Sequence, residues 1–269
     1  MFRRLTAAFV AIVAIFALSN VANARSLDDI IKSGVLKIAV HPNLPPLSSR
    51  NANQEWEGFD IDIGNLLAEK LGVEAEFVPT DTPARVPNIV SGIVDISLGG
   101  LTRNSRRMKV IDYTFPLHTE NMAVLLTDKV EGINSWKDLN REDITLVGCR
   151  GCTPAKFVEE NLPKAEQLLV EGAADMVRTV AQGRADGLVA NLDFYPVLMS
   201  NYPDVNWVIL PDIIKTAYNG IGLEKGNRGL QTWLNQALWE IQNVGLHDQL
   251  WEKHYGIPMI VKVVPQPYF

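Results

Sequence analysis

The chain has 269 residues, 47% of them apolar, and its 25 basic and 31 acidic residues leave a net charge of −6 at neutral pH. An acidic surface with no basic cluster and no aromatic stacking platform argues against a nucleic-acid partner. The length suits one large domain or two lobes of about 100 residues each.

The chain begins with Arg3 and Arg4, an apolar run from Leu5 to Leu18, and a small-x-small ending at Ala22-Asn23-Ala24. This pattern predicts a secretory signal over residues 1–24, cleaved after Ala24. The run is short for a bilayer span, which needs about 20 apolar residues; an uncleaved anchor is the competing reading. No lipobox cysteine precedes Arg25, and no later segment is long and apolar enough to span a membrane, so the chain is not expected to be membrane-embedded.

Gly34 to Val40 reads as a strand, followed by a Pro/Asn/Ser-rich loop from His41 to Asn53. Asp60 is placed to cap a helix running to Leu71, with Ile63, Leu67 and Leu71 on one face and Gly72 as its stop. Glu74 to Pro79 is a second strand, Pro87 to Gly92 a short helix, and Val94 to Leu98 a strand whose composition fits burial in a parallel sheet. The alternation resumes with a strand at Ile144 to Gly148. A helix follows, capped by Thr153 with Pro154 at its first position, and then a strand at Ala165 to Val170. Met176, Val177, Val180 and Ala181 mark a helix face, and Gly187 to Ala190 is a strand ending at Asn191. Leu230, Leu234, Leu238 and Ile241 form a helical stripe broken at Gly245. A further helix runs from Leu246 to about His254, and the tail from Gly256 reads as an extended strap. Such alternation argues an α/β fold.

Several pieces together resemble the extracellular solute-binding proteins of the polar amino-acid type, the partners of ABC importers. They are the Pro45-Pro46 loop, Gly58-Phe59-Asp60-Ile61-Asp62-Ile63, the stretch Pro87 to Asp95 with Gly100-Leu101-Thr102 through Arg107, and Asp112-Tyr113-Thr114-Phe115-Pro116. Val147-Gly148, Gly151-Cys152-Thr153 and Gly183-Arg184-Ala185-Asp186 follow in the same order. The resemblance covers nearly all of the chain beyond residue 24. It implies a type II periplasmic binding protein fold, with two similar α/β lobes joined by two hinge strands around a ligand cleft. Lobe one would be residues 27–118 plus 220–269 and lobe two residues 123–212, with hinges near 117–122 and 213–219. It also implies a small polar ligand, most simply an amino acid or related carboxylate, taken to an ABC permease without any cofactor; with the signal segment the expected compartment is the periplasm, and a monomer is the default expectation.

The same resemblance implies site residues. Arg107 matches the arginine that clamps the ligand carboxylate, a task suited to the fixed fork of a guanidinium; a surface arginine among Arg103 and Arg106 is the alternative. Thr102 matches a donor beside it, and Gly100 a point of close backbone approach or a tight turn. Cys152 and Thr153 stand where the family places a small hydroxyl pair at a helix N-terminus, which attracts carboxylates. Arg85 matches an arginine found in some members, facing either the cleft or solvent. Three departures bear on the ligand. Asn191 replaces the aspartate that pairs with the ligand ammonium, with Asp193 a possible substitute two residues on. Leu44 and Thr82 stand where aromatic rings usually sandwich the ligand. His41 is a further polar candidate in the first loop, and Trp56 a reporter of closure.

Cys149 and Cys152 share the spacing of a thioredoxin-type motif. A local disulfide is favoured over two free thiols, and redox catalysis fits poorly with the surrounding order of residues. Two cysteines with no nearby histidine do not make a zinc site. Some relatives on this fold act as cyclohexadienyl dehydratases, but the glutamate expected after the lobe-two strand is absent, with Phe194 in that region. The chain is therefore expected not to be an enzyme. A ligand-sensing module presenting its closed form to a receptor is the third alternative.

Overall fold

The computed structural model describes residues 25–264 apart from Gly151, Leu192 and Phe194. The expected signal segment, residues 1–24, lies outside the described residues, as do the Phe194 comparison and the end of the tail.

The first sheet is built from β1 (Val35–Val40), β5 (Glu74–Pro79), β6 (Ile96–Ser97), β7 (Ile111–Tyr113) and β14 (Gly222–Glu224), in the order β5-β1-β6-β14-β7. β1 runs parallel to β5 and β6, whereas β14 is antiparallel to β6 and β7. Leu36, Ile38 and Val40 alternate with Ala39 along β1, so the strand buries side chains on both faces. One face is covered by α2 (Phe59–Leu71), α7 (Arg228–Asn243) and α8 (Leu246–Tyr255). The stripe Leu230, Leu234, Leu238 and Ile241 is wholly buried there, and each such side chain contributes roughly 2 kcal/mol through area removed from water. The other face packs on α3 (Arg85–Val90). A helix α1 (Leu27–Ser33), boxed by Ser26 and Asp29, precedes β1. A three-stranded sheet of β2 (Asn43–Leu44), β3 (Ser48–Arg50) and β4 (Trp56–Glu57) occupies the long first loop.

The second sheet runs β10 (Glu166–Val170), β9 (Thr145–Cys149), β11 (Gly187–Asn191), β8 (His118–Thr127) and β12 (Trp207–Ile209), with β13 (Lys215–Asn219) also paired to β8. Along β8, Ala123 and Leu125 enter one core with α5 (Ala173–Ala181) and α6 (Tyr195–Met199), and Met122, Val124 and Leu126 enter the opposite core. β12 takes the far end of β8, Leu125 to Thr127, while β13 takes its beginning, His118 to Met122. The chain passes from the first sheet to the second between β7 and β8, and returns between β13 and β14. The antiparallel β8–β13 ribbon therefore links two α/β lobes.

Four local expectations change. The helix α2 starts at Phe59 with Gly58 at its cap position, because the Asp60 carboxylate turns inward to accept the Gly99 N–H at 2.7 Å. The helix α4 (Thr153–Asn161) has Cys152 at its cap position, which makes Thr153 its first helical residue and not its cap. The helix α3 begins at Arg85, two residues before Pro87; proline is tolerated in a first turn, where its missing N–H has no partner to lose. β6 is only two residues long, because it pairs with β1 at Ile38 and Ala39 alone before the chain turns at Gly99 and Gly100.

Candidate functional site

Gly99 and Gly100 both take the left-handed conformation, with φ of 80° and 64°. That turn sends the chain from the end of β6 toward the hinge ribbon. Thr102 forms an antiparallel bridge with Asn219 at the end of β13, and the Arg103 N–H donates to the Tyr218 carbonyl at 2.9 Å. A short 3-10 turn, Arg107–Lys109, follows. Asn104 Oδ1 accepts the Arg107 N–H at 2.9 Å. The Arg107 guanidinium donates from Nη1 to the Thr102 carbonyl at 2.8 Å, and the Tyr113 hydroxyl donates to the same oxygen at 3.2 Å. One carbonyl thus orients the arginine and leaves most of its five N–H groups for a ligand.

A cavity of about 600 Å³ opens beside this arginine, within the range of small-molecule sites. Thr102 and Arg107 line it from the first lobe, Thr153 from the start of α4 in the second, and Lys215 to Tyr218 from the hinge strand β13. Arg103, Arg106, Arg107 and Lys215 bring four cations to its wall, and among the described residues no aspartate or glutamate lines it. The first-turn amides of α4 add positive potential. A disulfide joins Cys149 at the end of β9 to Cys152 at the start of α4, so the segment that presents Thr153 is tied to the second sheet. Such a wall has the charge to suit an anion, and its fork of donors has the geometry to suit a carboxylate.

The remaining candidates do not line the cavity; Arg85, Leu44, Asn191 and Asp193 lie near Gly100 and β8, and the others lie in the first-lobe loop. Arg85 is turned inward, with 6% of its surface exposed. It donates to the Gly99 carbonyl and, from Nε, to the Thr82 carbonyl at 3.3 Å. Burial and then the charge of Arg107 lower its pKa. Leu44 and Leu47 lie over Gly100. Asn191 Nδ2 donates to Glu120 Oε2 at 3.0 Å. Asp193, 1% exposed, accepts the Asn121 N–H at 2.9 Å on the inner side of β8, and burial pushes its pKa up to about 6. His41 Nδ1 accepts the Asn43 N–H at 3.1 Å within its own loop. Trp56 sits under the Arg50 guanidinium, 3.8 Å from the ring centre, on the outer sheet of the first lobe.

Glu120 is the functional candidate that sequence reasoning passed over. It sits in a ten-residue strand whose other members are all buried. A lone acid in such a strand is the available signal, obscured because the family resemblance implies only a hinge for this segment. Its carboxyl is pushed up to about 7, by burial first and then by the charge of Asp193.

Residues 36–257 match the sequence profile of the bacterial extracellular solute-binding proteins, family 3. The chain belongs to this family. A cyclohexadienyl dehydratase of Pseudomonas aeruginosa is 27% identical over 186 residues, covering 69% of each chain. A probable histidine-binding protein of Neisseria gonorrhoeae is 24% identical over 226 residues, covering 82% of this chain and 83% of that one. Among solved structures, an ancestral cationic amino acid solute-binding protein matches with a TM-score of 0.76 and 32% identity, over 85% of this chain and 99% of its own. The two-lobed α/β fold expected from the sequence is the fold of these binding proteins, and most of the relatives are named for binding rather than catalysis.

Proposed function

We propose that this family member is a periplasmic receptor that binds an amino acid between its lobes and hands it to the permease of an ABC importer. The observation that carries this reading is the acid-free cavity where Arg107 and Thr102 of one lobe face Thr153 of the other. A ligand carboxylate would meet Arg107 first, and movement about the β8–β13 ribbon would then bring Thr153 onto it. Excluding water strengthens each charged hydrogen bond. Relatives that bind histidine, cystine, glutamine and arginine support an amino-acid ligand.

The test is calorimetry on refolded, ligand-free protein. The panel holds acidic, neutral and basic amino acids beside matched carboxylates that lack the amino group. Saturable binding of at least one amino acid is expected. Binding confined to the deaminated compounds would move the ligand class to organic acids, and no binding by either set would refute the reading.

Turnover by a dehydratase is the second reading, favoured by the Pseudomonas relative and by Glu120, a carboxyl that holds its proton to about pH 7 and so has the acidity of a general acid. A cyclohexadienyl dehydratase assay decides between the two: binding without product formation is expected.

A further inference from the structure

Glu120 stands where both lobes and the hinge meet. Its Oε2 accepts from Asn191 of β11, and the side chain of Asn219 from β13 also bonds it. Its Oε1 lies against Gly100 so closely that a Cβ there would come within 3.0 Å. Among the described residues it forms no ion pair. The charged or titratable groups facing it are Arg85 from α3, Asp60 from α2, Asp193 beyond β11 and the Tyr255 phenol from α8. Arg85, the one cation among them, has its guanidinium on the Gly99 and Thr82 carbonyls. A half-buried carboxylate held by neutral amides is costly to ionise until a cation reaches it.

The neighbouring candidates for an ammonium partner are differently engaged. Asn191 points its amide nitrogen, a donor, at Glu120. Asp193 is buried and bound to the Asn121 backbone. Gly100, which Glu120 packs against, and Thr102, whose carbonyl orients Arg107, are two residues apart in the chain, so one short segment leads from Glu120 to the arginine on the cavity wall.

We propose that Glu120 receives the α-ammonium of the bound amino acid and that Asn191 positions its carboxylate for that role. The inference rests on the amino-acid reading above and names the residue that makes an ammonium group part of what is recognised. Because a bound ammonium favours ionised Glu120, binding below about pH 7 releases a proton, and affinity rises with pH until it levels off there.

The experiment is calorimetry of the mature chain and its Glu120→Gln and Asp193→Asn variants. The probes are L-glutamine with glutaramate, which lacks its amine, and L-arginine with 5-guanidinopentanoate. Glu120→Gln should weaken both amino acids by about 10- to 100-fold, the range for a charge-assisted hydrogen bond, and leave the deaminated compounds within about threefold. Retained binding of those compounds reports a folded variant. As a measurement needing no variant, titrations at pH 6.5 in buffers of different ionisation enthalpy should show the unaltered chain releasing more than half a proton per amino acid bound. Unchanged amino-acid affinity in Glu120→Gln, or its loss in Asp193→Asn alone, would overturn the assignment while leaving the amino-acid reading intact. Equal weakening of L-arginine and 5-guanidinopentanoate with L-glutamine unaffected would place a side-chain cation on Glu120 and overturn the α-ammonium role. An unaltered chain that binds only the deaminated compounds, or none of the four, overturns both.

Discussion

Replacing Arg107 by lysine keeps the charge and removes the fork. In the structure one guanidinium nitrogen is committed to the Thr102 carbonyl at 2.8 Å, which aims the rest of the planar group at the cavity. A lysine has three donors on one nitrogen and cannot hold that carbonyl while giving two parallel bonds to a carboxylate. Losing one charge-assisted bond and the orientation costs about 1.5–3 kcal/mol, so the Kd should rise roughly 10- to 150-fold. Arg107 is half-buried on a short turn and fills no core, so stability should change by no more than about 0.5 kcal/mol. Calorimetry with the tightest amino acid of the panel measures the first quantity and thermal unfolding of the free protein the second. Arg106→Lys on the exposed neighbour is the control and should alter Kd by less than about threefold. A Kd for Arg107→Lys within threefold of the unaltered chain would refute the carboxylate role, since it would mean that charge alone, which any of the four cations supplies, is what the cavity uses.

Gly58→Ala should unfold or severely destabilise the protein. At φ 126° the added Cβ would stand 2.3 Å from the Leu47 carbonyl oxygen and 3.0 Å from that of Pro46, so a loss of at least about 3 kcal/mol is expected by chemical denaturation. Reducing Cys149–Cys152, which spans three positions in sequence, should remove about 2 kcal/mol by the chain-entropy estimate. That lowers Tm by about 4–8 °C, readable by thermal unfolding with and without reductant. Burial lowers His118 from 6.5 to about 4, so the folded state binds fewer protons than the unfolded one between those values. Its contribution is whole above pH 6.5 and is lost as pH falls toward 4, on the order of 3 kcal/mol. Asp60, Glu120 and Asp193, raised by burial, act with the opposite sign and lose stability as pH rises toward 6–7. The imidazole resonances of His118 should therefore show a neutral ring at pH 5.5, and a ring titrating near 6.5 in the folded chain would contradict this account.

Much of the scaffold was legible because the signals are local. The 3.6-residue stripe of α7 and the glycine stop of α2 depend on near neighbours in the chain, and both appear where they were read. The six-residue strands β1 and β5 likewise fall within or on the runs that predicted them. The two-residue strands of the small outer sheet were not legible, since segments as short as Asn43–Leu44 carry no measurable period.

Polar residues were harder, and Asp60 is the simplest case. Its place before an apolar run looks like a helix cap, yet its partner is an amide 39 positions away. The cluster of Arg103, Arg106 and Arg107 left open whether it faces solvent; the bridge of Thr102 to Asn219 accompanies a turn that brings all three to the wall of a cavity.

By itself the sequence determined the class of fold, the order of its elements and the family, because those follow from hydrophobic period and from short motifs in a fixed order. Only the tertiary structure decided which polar groups meet. Glu120 and Asn191 are 71 positions apart and become neighbours because β11 pairs with β8 in the register that sets Asn191 opposite Met122. A charge's partner is chosen by strand pairing across the whole chain, and no local pattern records it.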